Sequence, residues 1–203
     1  MPQRPEPARP VGRPSSGARE RILAAGLEVL KAEGYAGLTM AKVAARSGQN
    51  KALIGYHFGS KHGLVAAAGR EVAGSITEQV VAGVGDARTV EGVVRGVLAG
   101  LWRVMDEDAR LPRVYFDLTA VSVVEPDVRA VMLEMKDGWR EVLRDLLVAA
   151  DDGPTRGRAD AATVYVIAGI EGLALERLDR GETPALKRAA EMFVRSATTQ
   201  IRP

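Results

Sequence analysis

From residue 18 onward the apolar positions recur every three to four residues, the period of a helix with one buried face. Over 18–33 the stripe is Ile22, Leu23, Leu27 and Leu30, and Gly34 follows as a C-terminal stop. Two short helices are predicted over 39–47 and 50–58. A longer one follows the capping Ser60, runs from Lys61 to about Val81, and is broken by the segment 83–88. Further helices are predicted over about 89–107, 111–122, 126–150, 159–180 and 184–201, with Pro126 well placed as a first helical residue. The 126–150 helix carries the stripe Val128, Met132, Met135, Trp139, Val142, Leu146 and Ala149, one continuous face. A polar loop over 151–158 follows it. No segment alternates with period two, and no internal repeat is visible. The predicted fold is all-α, with about nine helices.

Residues 38–61, LTMAKVAARSGQNKALIGYHFGSK, break from the long amphipathic pattern. Two short helices meeting at a tight turn are the build of a helix-turn-helix, which lays its second helix in the DNA major groove. Such a crossing needs a small residue, met by Ala44, and a turn residue that tolerates positive φ, met by Gly48. Val43, Leu53 and Ile54 supply a small core. Thr39 and Asn50 are placed to cap the two helices, and Thr39 is also within reach of a phosphate. Gln49, Asn50, Lys51 and Ala52 are short or polar enough to approach base edges. Tyr56, His57 and Lys61 carry donors suited to phosphate oxygens, with Arg46 and Gly55 in the same DNA-facing set. Phe58 is expected in the core.

Charge sharpens the picture. Residues 1–61 hold ten Lys/Arg and four Asp/Glu, 10 − 4 = +6, whereas 62–203 hold eighteen and twenty-two, 18 − 22 = −4. A basic end joined to an acidic body points that end at a polyanion. Residues 1–17, rich in Pro, Arg, Gly and Ser, are expected to form a disordered basic arm. Its Gly12-Arg13-Pro14 is flat and extended, which suits Arg13 to a narrow minor groove, with a solvated tail as the alternative.

The region resembles the DNA-binding domain of the TetR/AcrR family of bacterial regulators. The resemblance rests on Gly34-Tyr35, Leu38-Thr39, Ala44, Gly48, Asn50-Lys51-Ala52-Leu53-Ile54 and Tyr56-His57-Phe58-Gly59-Ser60-Lys61 leading into Leu64, and spans about residues 18–66. Two positions depart: Gln49 stands where that family usually has an apolar residue, and Gly55 where it usually has Tyr. The resemblance divides the chain into the arm at 1–17, the DNA-binding domain at 18–66 and a helical regulatory and dimerisation domain at 67–203. It implies a homodimer built from the last two helices and a small-molecule pocket in the body.

The body gives these two expectations some support of its own. Residues 162–175, ATVYVIAGIEGLAL, are apolar nearly all round, so a helix there is buried on every side. A partner subunit is one way to cover it, with Ile167, Ile170, Leu178, Met192 and Phe193 as interface candidates; a central helix in a monomer is the other. Gly92, Gly96 and Gly100 recur on one helix face. Each costs about 1 kcal/mol relative to Ala in an exposed helix. Either another helix packs closely there or the face leaves room for a ligand. The scarce aromatics gather in the body: Trp102, Tyr115, Phe116, Trp139 and Tyr165, beside Met105 and Met135. Such residues suit a hydrophobic ligand, and equally an ordinary core. Glu171, inside the apolar helix, is the candidate polar anchor.

Other chemistries find little support. The chain has no cysteine, and His57 and His62 are its two histidines, both by the helix-turn-helix, so neither thiolate chemistry nor a metal site is expected. No Gly-rich phosphate loop or paired-acid motif suggests an enzyme, and no cofactor is implied. No apolar run reaches the ~18–20 residues of a membrane span, and residues 1–21 have no signal region, so a soluble cytoplasmic protein without a membrane partner is expected. The sequence thus points to a homodimeric regulator that binds a double-stranded DNA operator, most simply a repressor released by a hydrophobic effector. The competing expectation is a ligand-independent or architectural DNA-binding protein controlled by a protein partner.

Overall fold

The computed structural model describes residues 17–202. The arm, and with it Arg13, lies outside the described residues. The described chain is all helical, in the order α1 (Ala18–Gly37), α2 (Met40–Ser47), α3 (Lys51–Phe58), α4 (Lys61–Val84), α5 (Val90–Glu107), α6 (Arg110–Ser122), α7 (Pro126–Ala149), α8 (Arg156–Arg180) and α9 (Pro184–Ile201). Among the described residues no helix is long and apolar enough to cross a membrane.

Two apolar clusters organise these helices. In the first, Ile22, Val29, Val43 and Ile54 bind α1–α3 together, and Leu64, Val65, Tyr115, Leu118, Val128 and Met132 continue it into α4, α6 and α7. In the second, Val94, Leu143, Leu147, Val166, Ile170 and Val194 join α5, α7, α8 and α9. Helix α7 therefore serves both clusters. Its buried positions run Val128, Val131, Met132, Met135 and then Leu143 and Leu147. The expected single stripe rotates halfway along, because α7 leaves the α1–α4 cluster and meets α8. Trp139, Val142 and Leu146 are left half-buried, and Ala149 is exposed.

Helices α4 and α5 approach so closely that their glycines interlock. A Cβ at Gly96 would lie 2.4 Å from Val84 Cα, and one at Gly100 2.5 Å from the Gln79 carbonyl oxygen. Across the contact, a Cβ at Gly83 would lie 2.4 Å from the Gly96 carbonyl oxygen. The glycine repeat at Gly96 and Gly100 thus serves close packing. It also explains why α4 runs through Gly83 to Val84 instead of breaking there: Gly83 is the other half of the contact. Helix α8 begins at Arg156, three residues before the sequence pattern suggested.

Candidate DNA interface and ligand cavity

Local capping builds the N-terminal head. Thr39 is extended and its hydroxyl accepts the Lys42 amide at 3.2 Å, which starts α2; Gly48 ends it at φ +68°. Asn50 Oδ1 accepts the Leu53 amide at 2.8 Å to start α3, and Ser60 Oγ accepts the Gly63 amide at 3.2 Å to start α4. Each cap satisfies a donor that the first helical turn leaves orphaned. Val43 and Ile54 are buried inward, and Arg19 lies over the Phe58 ring at 5.4 Å.

The outward face of α3 presents Lys51, Ala52 and Tyr56, with Tyr56 74% exposed. Lys51 and Arg46 are exposed, and neither has a carboxylate partner among the described residues. Gly55 is half-buried on this helix, and a Cβ there would meet nothing within 4 Å. Gln49 is half-buried, its amide donating to Ser47 Oγ at 3.3 Å. Thr39 and Asn50 keep a hydroxyl proton and an amide NH₂ to donate once their acceptor oxygens serve the caps.

Of two expected phosphate donors, one is engaged elsewhere and the other is partly buried. Lys61 Nζ donates to the Tyr35 carbonyl at 2.9 Å and sits 3.9 Å over the Tyr35 ring, so it ties α4 to the end of α1. His57 is half-buried, edge-on to Tyr56 at 5.2 Å and to Phe58 at 6.3 Å; its Nε2 is buried without a hydrogen-bond partner among the described residues.

Tyr35 is the hub between head and body; the sequence marked it only as part of the family resemblance and gave it no role. The helical path of α1 breaks at Gly34, φ +68°, a left-handed conformation that glycine adopts without strain. The freed Tyr35 amide donates to Asp117 Oδ2 on α6 at 2.6 Å. The Tyr35 hydroxyl meets His62 Nε2 at 3.2 Å, and His62 Nδ1 lies 3.2 Å from Asp127 on α7. Desolvation first, then Glu125 and Asp127, raises the Tyr35 phenol above its ordinary pKa. It therefore keeps its proton at neutral pH.

In the body, α4–α8 enclose a cavity of about 100 Å³. Four of the eight expected ligand-binding residues line it: Tyr115, Phe116, Trp139 and Glu171. Burial, reinforced by Glu171, raises the Tyr115 phenol far above its ordinary range, so it is a proton donor. The other four lie elsewhere. Trp102 carries Arg177 at 4.9 Å over its ring; Met105 and Met135 are buried core; Tyr165 is 40% exposed and bonds Ser196 at 3.0 Å.

The interface candidates also separate. Ile167 and Ile170 line the cavity, because α8 turns that face toward α7. Leu178 is half-buried, and Phe193 packs onto α8, where a Cβ at Gly169 would lie 2.2 Å from its ring. Met192 is 63% exposed, on the outer side of α9. Val164 and Leu175 of α8 are exposed too, and the alternation of the sequence did not separate them from the buried positions.

With this geometry in hand, residues 22–68 match the family model described as bacterial regulatory proteins, tetR family. Residues 90–202 match the model for the C-terminal part of BetI-type transcriptional repressors. The chain belongs to the TetR family of bacterial regulatory proteins. Its helix-turn-helix head and helical body are those of this family of transcription regulators. The HTH-type transcriptional regulator BetI 1 of Chromohalobacter salexigens is 24% identical over 127 residues, 60% of each chain. The chain thus matches about 60% of that relative's length. Solved structures share the fold. A putative TetR-family regulator from Rhodococcus sp. superposes with a TM-score of 0.72 at 21% identity, over 93% of this chain and 100% of that one. FadR of Bacillus subtilis, solved in complex with stearoyl-CoA, gives 0.71 at 16% identity, over 90% and 99%.

Proposed function

We propose that this TetR-family protein is a homodimeric repressor that leaves its operator when a small hydrophobic ligand enters the body. The observation that carries this reading is the position of α6. Tyr115 and Phe116 of this helix wall the cavity, and the next residue, Asp117, holds the end of α1 through the Tyr35 amide. A ligand that displaces α6 pulls on the head through this short, charge-assisted bond, beside the Arg110–Glu28 ion pair between the same two helices.

The rest of the reading follows from charge and shape. Lys51 and Arg46 are the cations free to meet phosphate, and Ala52 and Tyr56 the groups on α3 that reach bases. The arm with Arg13 is assigned to the adjacent minor groove. Domain limits at 1–17, 18–66 and 67–203 suit this division of labour. Val164, Leu175 and Met192 form an apolar outer face on α8 and α9, which a second copy would cover. The fold relative FadR was solved in complex with stearoyl-CoA, which is in keeping with a small-molecule site in this body. An anisotropy titration against the DNA upstream of the protein's own gene tests the proposal. Selective binding over random duplex supports it, and equal binding to both removes it.

A further inference from the structure

Most of the polar groups on the cavity wall already have partners. Thr77 Oγ1 accepts the Trp139 indole N–H at 2.9 Å and donates to the Ala73 carbonyl at 2.7 Å. The Tyr115 hydroxyl donates to Glu171. The same Glu171 oxygen lies 3.2 Å from Lys136 Nζ, which cancels its charge, and Lys136 stands 5.6 Å from the Tyr115 ring centre. The remaining wall is aliphatic or aromatic, with Val80, Leu101, Leu146 and Ile170 among its members.

We infer that the cavity takes an uncharged, hydrocarbon-like molecule about the size of one aromatic ring. The inference deepens the effector-site reading above and rests on it. A ligand cation would arrive beside a carboxylate that Lys136 already neutralises, and a ligand anion would face Glu171 itself; an uncompensated charge on this wall is costly. A ligand rich in donors and acceptors would find one unengaged side-chain acceptor, Glu171 Oε2, and most of its polar groups would go unpaired. The volume of about 100 Å³ is somewhat below the roughly 150 Å³ of an apolar cavity that binds benzene. The aromatic wall suits a ring. Tyr115 lies 5.2 Å from Phe116 at 70° and 5.1 Å from Trp139 at 46°, which presents both edges and faces.

The test compares three probes of one shape and different charge, toluene, benzylammonium and benzoate, on the full-length chain by thermal shift and calorimetry. Toluene is expected to raise the melting temperature saturably. The two ions are expected to bind at least about tenfold more weakly. Stronger binding of benzylammonium would make Glu171 a counter-ion, and stronger binding of benzoate would make Lys136 an anchor; either overturns the inference, as does no effect of toluene. Ala174→Leu, which grows into the cavity, is expected to abolish the toluene shift. Should Ala174→Leu fail to fold, quenching of tryptophan fluorescence by toluene in wild type and in Trp139→Phe locates the ligand instead. Equal quenching in the two would place it away from Trp139 and overturn the assignment. Failure of the effector reading looks different: toluene would bind as described and leave DNA affinity unchanged.

Discussion

The carboxylate of Asp117 accepts the backbone N–H of Tyr35 at 2.6 Å, joining α6 to the end of α1 across 82 residues of sequence. The bond exists because Gly34 breaks the helical ladder and frees the amide, and because α6 presents its acidic residue one position after the cavity wall. Asp117→Leu removes the acceptor. It is expected to destabilise the protein by about 1.5–3 kcal/mol, the worth of a hydrogen bond to a charged group. Asp117→Asn keeps an acceptor oxygen and is expected to cost less. Urea denaturation measures both. Equal loss in the two variants would mean that the charge, not the bond, matters.

The two lysines of the head separate by role. Lys51→Ala is expected to weaken DNA binding and reduce the salt slope by about 1, with no change in melting temperature. Lys61→Ala is expected to do the reverse, lowering the melting temperature because Tyr35 loses its Nζ contact, with a smaller effect on the slope. Titrations at several salt concentrations, paired with thermal melts, check this.

Glycines in two helices should respond oppositely to an added methyl. Gly100→Ala drives a Cβ into the Gln79 carbonyl and Val80 Cα and is expected to cost about 1–3 kcal/mol, as overpacking does. Gly55→Ala meets open space at helical backbone angles and is expected to stabilise by up to about 1 kcal/mol. Chemical denaturation of both variants is the measurement.

Much of the fold was legible because the signals are local. Thr39, Asn50 and Ser60 cap the helices they were expected to cap, and Gly34 and Gly48 take the left-handed backbone their positions suggested. Gly83 misled because a glycine that ends a helix and one that admits a neighbouring backbone look alike in sequence. The candidate sites were only partly legible for the same reason. An apolar helix face shows that something covers it, not whether that is core, cavity or partner. Ile167 and Ile170 face the cavity, and the stripe on α7 divides between core and cavity at Trp139, once α6 and α8 are in place. Lys61 and His57 look like donors in sequence; only the fold shows Tyr35 holding the one and the other with its Nε2 buried.

Acid should destabilise the protein through several paired carboxylates. The Arg110 side chain first, then Lys31, holds Asp108 well below its ordinary pKa of 3.8. Arg95 does the same for Glu191, and Arg70 for Glu134. A carboxylate depressed in the folded state stabilises it above the unfolded pKa, and that stability is lost as pH falls through the folded value. The melting temperature is therefore expected to stay level around neutrality and to fall below roughly pH 4.5. Asp108→Asn is expected to flatten the acid limb.

The central claim joins DNA reading to an occupied cavity. Fluorescence anisotropy of the full-length protein on labelled DNA from upstream of its own gene, with and without saturating toluene, tests it most directly. Selective binding over random duplex is expected, weakened about 5- to 150-fold by toluene, a coupling of ~1–3 kcal/mol. Equal affinity for random DNA, or selective binding that a bound toluene leaves unchanged, would contradict it.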